Sequence, residues 1–182
     1  MAIRPIVRLG HPALRTPAEP LTPEQLSSQE TQQLIDDMLE TMTDAEGVGL
    51  AAPQVGLGLQ LFVYLDVGAE GDREGPEGKV LVNPALDPVS RDLVYDWEGC
   101  LSIPDLRGLV PRYSAMQVHA LDRHGGKVEF LAEGYEARII QHEFDHLNGR
   151  IFLDRMRDMR SLAYGAEWEE FMTEGDEPSA SG

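Results

Sequence analysis

Two histidines four residues apart, with a glutamate directly after the first, stand in QHEFDHLNG at 141–149: His142, Glu143 and His146. On a helix, positions i and i+4 share one face, so both imidazoles can reach one metal ion. The pattern therefore demands a helix through this stretch. Ile139 and Ile140 precede the pair and Leu147 follows it. A helix is predicted from about Gly134 to Leu147, ending near Asn148-Gly149. Two ligands do not complete a catalytic centre, and the third decides the chemistry.

Three routes to a third ligand are open to a chain with H-E-x-x-H. One protease variant continues x-x-G-x-x-H. Gly149 falls on its glycine position, but Phe152 stands where the histidine is needed, which closes that route. A downstream glutamate is the second route, with Glu167, Glu169 and Glu170 available. The third is a thiolate from upstream, for which Cys100 is the single candidate. By count alone, a lone cysteine reads as an inert buried hydrophobe. Its setting, EGCLSIP at 98–104, has a glycine before it and a proline shortly after, which suits a tight turn holding a ligand.

The remaining punctuation places this helix in an α+β chain. Thr22-Pro23-Glu24-Gln25 reads as a capped helix start with proline at its first position. Leu34, Ile35, Met38, Leu39 and Met42 continue an apolar stripe that ends near Gly47. Strands are predicted at 59–67, 79–84, within 86–95, at 109–122 and at 127–132, with a hairpin turn at 122–127. The Gly-rich charged stretch 67–79 reads as an exposed loop. Successive short strands argue antiparallel pairing. The expected architecture is antiparallel sheets packed around a central helix carrying the H-E-x-x-H pattern. A helix precedes them, and another follows from about Arg155 with Met159, Leu162, Ala163 and Phe171 inward. One domain over 1–172 and a disordered acidic tail over 173–182 complete the reading.

Charge and length exclude some functions. With 182 residues, a single core is the simplest solution. A net charge of −17 argues against binding DNA or RNA through a basic surface. The N-terminus lacks the apolar run of a signal peptide, and no run is long enough to span a bilayer. The expectation is a cytoplasmic protein of bacterial type or an organellar one, with no membrane partner.

Three separated segments make the chain similar to a known family. GVGLAAPQ (47–54), EGCLS (98–102) and HEFDHLNG (142–149) together resemble the peptide deformylases. The resemblance runs from the N-terminal helix to about residue 155. It implies hydrolysis of the formyl group from the N-terminal formyl-methionine of nascent peptides, releasing formate. It assigns one divalent metal ion to Cys100, His142 and His146, with Fe2+ expected in the cell and Ni2+, Co2+ or Zn2+ as alternatives. One thiolate and two imidazoles suit all four. Glu143 is then the proton carrier. The side-chain amide of Gln54 and the backbone N–H of Leu101 are the donors to the developing oxyanion.

By the same resemblance a methionine-sized pocket is lined by Val48, Glu98 and the helix face before His142, where Tyr135 and Arg138 fall. Gly47 and Gly49 are expected to let a substrate backbone lie close as an added strand. Arg138 departs from members with an aliphatic residue there. It is expected to use its alkyl stem as wall and turn its charge to solvent or a carboxylate. Glu98, if buried, needs a partner, Arg112 first and Arg107 second. His11, His119 and His124 lack ligand spacing and are expected to be structural or exposed. The acidic residues after Arg160 argue against strong ribosome docking through this end, leaving only transient proximity to the ribosome.

Overall fold

The computed structural model describes residues 2–66 and 78–173. The predicted loop falls mostly, and the predicted tail almost wholly, outside the described residues. The chain forms a mixed helical and antiparallel β structure. In order it contains α1 (Pro23–Leu26), α2 (Gln29–Asp44), β1 (Gly49–Ala51), β2 (Leu61–Leu65), β3 (Gly78–Pro88), β4 (Leu93–Cys100), β5 (Ile103–Tyr113), β6 (Ala115–Leu121), β7 (Lys127–Glu133), α3 (Gly134–Leu147), β8 (Ala163–Tyr164) and α4 (Gly165–Phe171). Two antiparallel sheets result, ordered β1-β2-β3-β6-β7 and β4-β5-β8.

The helix predicted after Thr22 is two helices. Thr22 and Gln25 form the expected capping box on α1, but the side chain of Ser28 accepts from the Thr31 N–H and starts α2 afresh. A second cap satisfies the free N–H groups of a new helix more readily than a continuous one would use a Ser-Ser pair. The long strand predicted over 109–122 also divides. Ser114 separates β5 from β6, and the chain passes there from the small sheet to the large one. The strand predicted within 86–95 is shared between the end of β3 and the start of β4. The tight turn expected within 98–104 falls at Leu101-Ser102: β4 reaches Cys100 and β5 begins at Ile103, and the two pair with a register shift between Glu98 and Cys100.

The C-terminal expectation needs the largest correction. Instead of one helix from Arg155, short 3-10 turns lead into β8 and then the seven-residue α4. Phe171 and Met159 are exposed, not inward; Leu162 and Ala163 are half-buried. Gly165 begins α4.

The large sheet is covered by hydrocarbon on both sides. α2 contributes Leu34, Ile35, Met38 and Met42 to a cluster with Leu50, Leu61, Val63 and Val82. Ile139, Ile140 and Leu147 of α3 join Phe62, Tyr64, Leu81 and Val118 in another. The alternation of β2 side chains between the two clusters follows from the period of a strand. α3 also touches β5, so it meets strands of both sheets.

Candidate active site

Cys100 ends β4, and His142 and His146 occupy one face of α3. Their ligand atoms all lie within 4.8 Å of one another. Cys100 Sγ is 3.3 Å from His146 Nε2. A single ion bound at about 2.0–2.3 Å from nitrogen and sulfur spans such separations. Among the described residues this is the one cluster of its kind. Glu167, Glu169 and Glu170 belong to α4 and take no part in it. The thiolate route to the third ligand is therefore the one the fold favours. The donor set fits a metal: a soft thiolate beside two imidazoles, all buried or nearly so.

The charges behind the ligands fix their orientation. Glu98 is buried, and its carboxylate is fully engaged. Arg112 grips both oxygens, Nε to Oε1 at 2.8 Å and Nη2 to Oε2 at 2.9 Å. Arg138 Nη1 donates to Oε1 at 2.8 Å, and His142 Nδ1 lies 2.9 Å from Oε2. Donation from Nδ1–H to the carboxylate leaves Nε2 of His142 as the free ligand atom. Asp145 completes the set, taking Arg112 at 2.5 Å and Arg155 at 2.5 Å. Burial pushes Glu98 toward its neutral form, but the hydrogen bonds from Arg112 and His142 win and hold its pKa far below the ordinary carboxylate range. Arg112 is the partner expected from the sequence. Arg107, the second candidate, is not engaged with Glu98.

Arg138 resolves as a clamp. Its Nη1 also meets the Val110 carbonyl at 3.0 Å, and its Nη2 the Val94 carbonyl at 2.7 Å. The charge goes to a carboxylate and to backbone carbonyls of β4 and β5, not to solvent. It ties the histidine-bearing helix to the strands that carry Glu98 and Cys100.

An open pocket of about 470 Å³ faces this centre. Gly47, Val48, Gly49, Glu98, Cys100 and Leu101 line it. Tyr135, Arg138, His142 and Glu143 contribute from α3, and Gln54 from a 3-10 turn after β1. Val48 and Tyr135 are well exposed, 36% and 53%, as walls of an open cleft should be.

Glu143 is buried at the floor. Oε2 is shielded from solvent and meets no hydrogen-bond partner among the described residues. Burial raises its pKa to about 7 against the pull of His142. Burial also lowers His146 well below the ordinary imidazole value, with the charge on His142 adding to it. For His142 burial works downward too, but hydrogen bonds to Cys100 and Glu98 hold its pKa well above normal. Gln54 is oriented by the backbone three residues before it: Oε1 accepts from the Ala51 N–H at 2.8 Å. Its Nε2 then points to Ser102 Oγ at 3.3 Å and Cys100 Sγ at 3.6 Å.

Gly47 and Gly49 also lie close against neighbouring side chains. A Cβ on Gly49 would lie 2.3 Å from Oε1 of Glu143, and one on Gly47 would lie 2.8 Å from Cδ1 of Leu101. Both make room for pocket side chains, a reason the sequence does not reveal. Sequence reasoning also missed Ser102 and Asp145 as partners. The EGCLS segment includes the first, and the second sits at i+3 from His142, but only folding shows what each touches. His11 caps a short turn, accepting from the Ala13 N–H at 3.2 Å. His119 sits at the surface between Asp87 and Glu129, and His124 is exposed in the hairpin turn.

Comparison with known proteins gives the same answer. The family model described as polypeptide deformylase matches residues 3–161. Peptide deformylase 1 of Bordetella pertussis is 44% identical over 167 residues, spanning 89% of this chain and 92% of that one. Peptide deformylase 2 of Pseudomonas putida is 42% identical over the same shares. Among solved structures, a peptide deformylase from Legionella pneumophila superposes with a TM-score of 0.77 at 42% identity, covering 88% of this chain and 89% of that one. The actinonin-bound class I type b enzyme from Acinetobacter baumannii gives 0.77 at 35% identity, covering 86% and 99%. With the three motifs converging on one pocket, this chain belongs to the peptide deformylase family, metal-dependent hydrolases that remove the N-formyl group from nascent peptides.

Proposed function

We propose that this chain deformylates the N-terminal formyl-methionine of newly made polypeptides with Cys100, His142 and His146 holding one divalent ion, Fe2+ in the cell. Ni2+, Co2+ and Zn2+ suit the same donors. The ion, when bound, supplies Lewis-acid polarisation and makes a water acidic enough to attack near neutral pH. Glu143 receives that proton at its unpartnered Oε2 and returns it to the departing amine. Gln54 Nε2, aimed by the Ala51 N–H, and the Leu101 N–H meet the formyl oxygen as it gains charge. Val48, Tyr135 and the stem of Arg138 contact the methionine side chain. Gly47 and Gly49 let the peptide backbone lie close. The catalytic unit is residues 1–172, with α3 as the helix around which the two sheets are organised. It works in the cytoplasm, meeting the ribosome only transiently.

One observation carries this reading: Glu143, buried and with Oε2 unpartnered among the described residues, lines the same open pocket as Cys100 and His142, which cluster with His146. The test is formate release from a short formyl-methionyl peptide by protein loaded anaerobically with Fe2+, Ni2+ or Zn2+. Glu143→Ala should lower kcat by about 10²–10⁴ with the metal retained. Formate release undiminished in that variant would remove Glu143 from the reaction.

A further inference from the structure

The family match ends at residue 161, and the chain beyond it returns to the pocket. β8 pairs with β5 at Arg107↔Ala163 and Leu106↔Tyr164, and α4 follows at once. This brings Trp168 over two groups of the pocket wall. Its ring centroid is 6.0 Å from that of Trp97, at an interplanar angle of 58°. Cζ of Arg107 lies 5.9 Å from the Trp168 ring. Trp97 and Arg107 line the pocket; Trp168 stands behind them.

Arg107 is confined from other directions as well. Nη1 donates to the Leu106 carbonyl at 3.0 Å. A Cβ on Gly99 would lie 2.2 Å from Nη1, so the guanidinium fills the space that a side chain beside Cys100 would take. Among the described residues Arg107 pairs with no carboxylate, in a chain of net charge −17. Its remaining N–H donors meet no acceptor among the described residues, and Arg107 lines the pocket. The Trp168 Nε1–H is shielded and meets no acceptor among the described residues. The tilted contact with Trp97 and the Arg107 guanidinium, not its own hydrogen bonding to the described residues, hold the ring there.

We propose that Trp168 is a positioning residue for substrate. It holds Trp97 and Arg107 as a wall that binds the peptide beyond its formyl-methionine, through indole faces and guanidinium N–H donors to backbone carbonyls. The proposal rests on the deformylase reading. It makes the segment after residue 161 a determinant of how the enzyme senses peptide length.

The experiment compares a formylated dipeptide with a formylated tetrapeptide sharing its first two residues, using the full metal-loaded chain. Trp168→Ala should raise KM for the tetrapeptide about five- to tenfold more than for the dipeptide, with each kcat within about twofold. Trp168→Phe, which keeps an aromatic face, should restore most of that ratio. It also leaves Trp97 as the one indole in the chain, whose emission should change when the tetrapeptide binds. A KM ratio unmoved by Trp168→Ala, with formate still released from both peptides, would make Trp168 a mere anchor and overturn the proposal alone. Parallel losses on both peptides would do the same. No formate from the wild type with either peptide would overturn the deformylase reading, and this proposal with it.

Discussion

Across β2 of the large sheet, the buried side chains are Leu61, Phe62, Val63 and Tyr64; across β4 and β5 of the small sheet, they include Glu98 and Arg112. The first sheet is covered by α2 and α3 through aliphatic and aromatic contact. The second has a smaller apolar cluster around Cys100, Val110 and Phe152, and its link to α3 is ionic: Glu98, Arg112, Arg138 and Asp145, all buried. Each fully buried apolar side chain of the first kind contributes about 1.5–3 kcal/mol. Buried ion pairs of the second kind roughly break even against desolvation, yet removing one partner is expensive. The large sheet therefore supplies stability. The small sheet sacrifices it for position, because Glu98 must point its second oxygen at His142.

Four changes test this division. Cys100→Ala should have the largest effect: metal content by elemental analysis should collapse, and formate release with it. Full activity with metal retained would dismiss the thiolate ligand. Next, Glu98→Ala leaves Arg138 buried without its carboxylate and Arg112 with Asp145 alone. It should cost about 3–5 kcal/mol in urea unfolding. It should also weaken metal affinity by about 10–100-fold in chelator competition, since His142 loses its orienting partner. Unaltered metal affinity would mean the network serves only the fold.

On the apolar side the expected effects are smaller and purely structural. Ile35→Val, at a fully buried position of α2, should cost about 0.5–1.5 kcal/mol by the same unfolding assay. Metal affinity and kcat should not move; a loss of metal there would erase the contrast between the sheets. The smallest effect concerns Asp37, also on α2, which accepts from the Ala2 N–H at 2.8 Å, Gln33 Nε2 at 2.9 Å and Arg4 Nε at 3.1 Å. The Gln33 hydrogen bond outweighs burial and holds its pKa below the ordinary 3.8. A lowered folded pKa gives stability that is fully present above the unfolded value and lost as pH falls through the folded one. Wild type should thus lose stability below pH 3.8 more steeply than Asp37→Asn. Parallel curves for the two proteins would refute the linkage.

Local chemistry made part of this legible. The Thr22–Gln25 capping box, the 122–127 turn and the α3 boundaries follow from short-range signals, and each is where the sequence places it. The split at Ser27-Ser28 and the sheet change at Ser114 are less visible, because propensity does not report which sheet a strand joins. The C-terminal segment misleads for a related reason. Its apolar spacing suits a helix, but pairing Ala163 with Arg107 satisfies its backbone against β5. That alternative depends on a strand far back in the chain, at Arg107.

The sequence by itself determined the ligand types, the helix that presents two of them, and the glutamate between. These are local: i to i+4 spacing is a property of any helix, and a thiolate binds metal wherever it is. Tertiary structure decided which of the candidate third ligands comes to the two histidines: Cys100, and none of the glutamates of α4. It also decided that two arginines share Glu98, that Gly47 and Gly49 clear space for Leu101 and Glu143, and that Trp168 backs the pocket wall. Each of these joins residues that only folding brings within a few ångströms, where burial turns a remote charge or a missing Cβ into a constraint on the site.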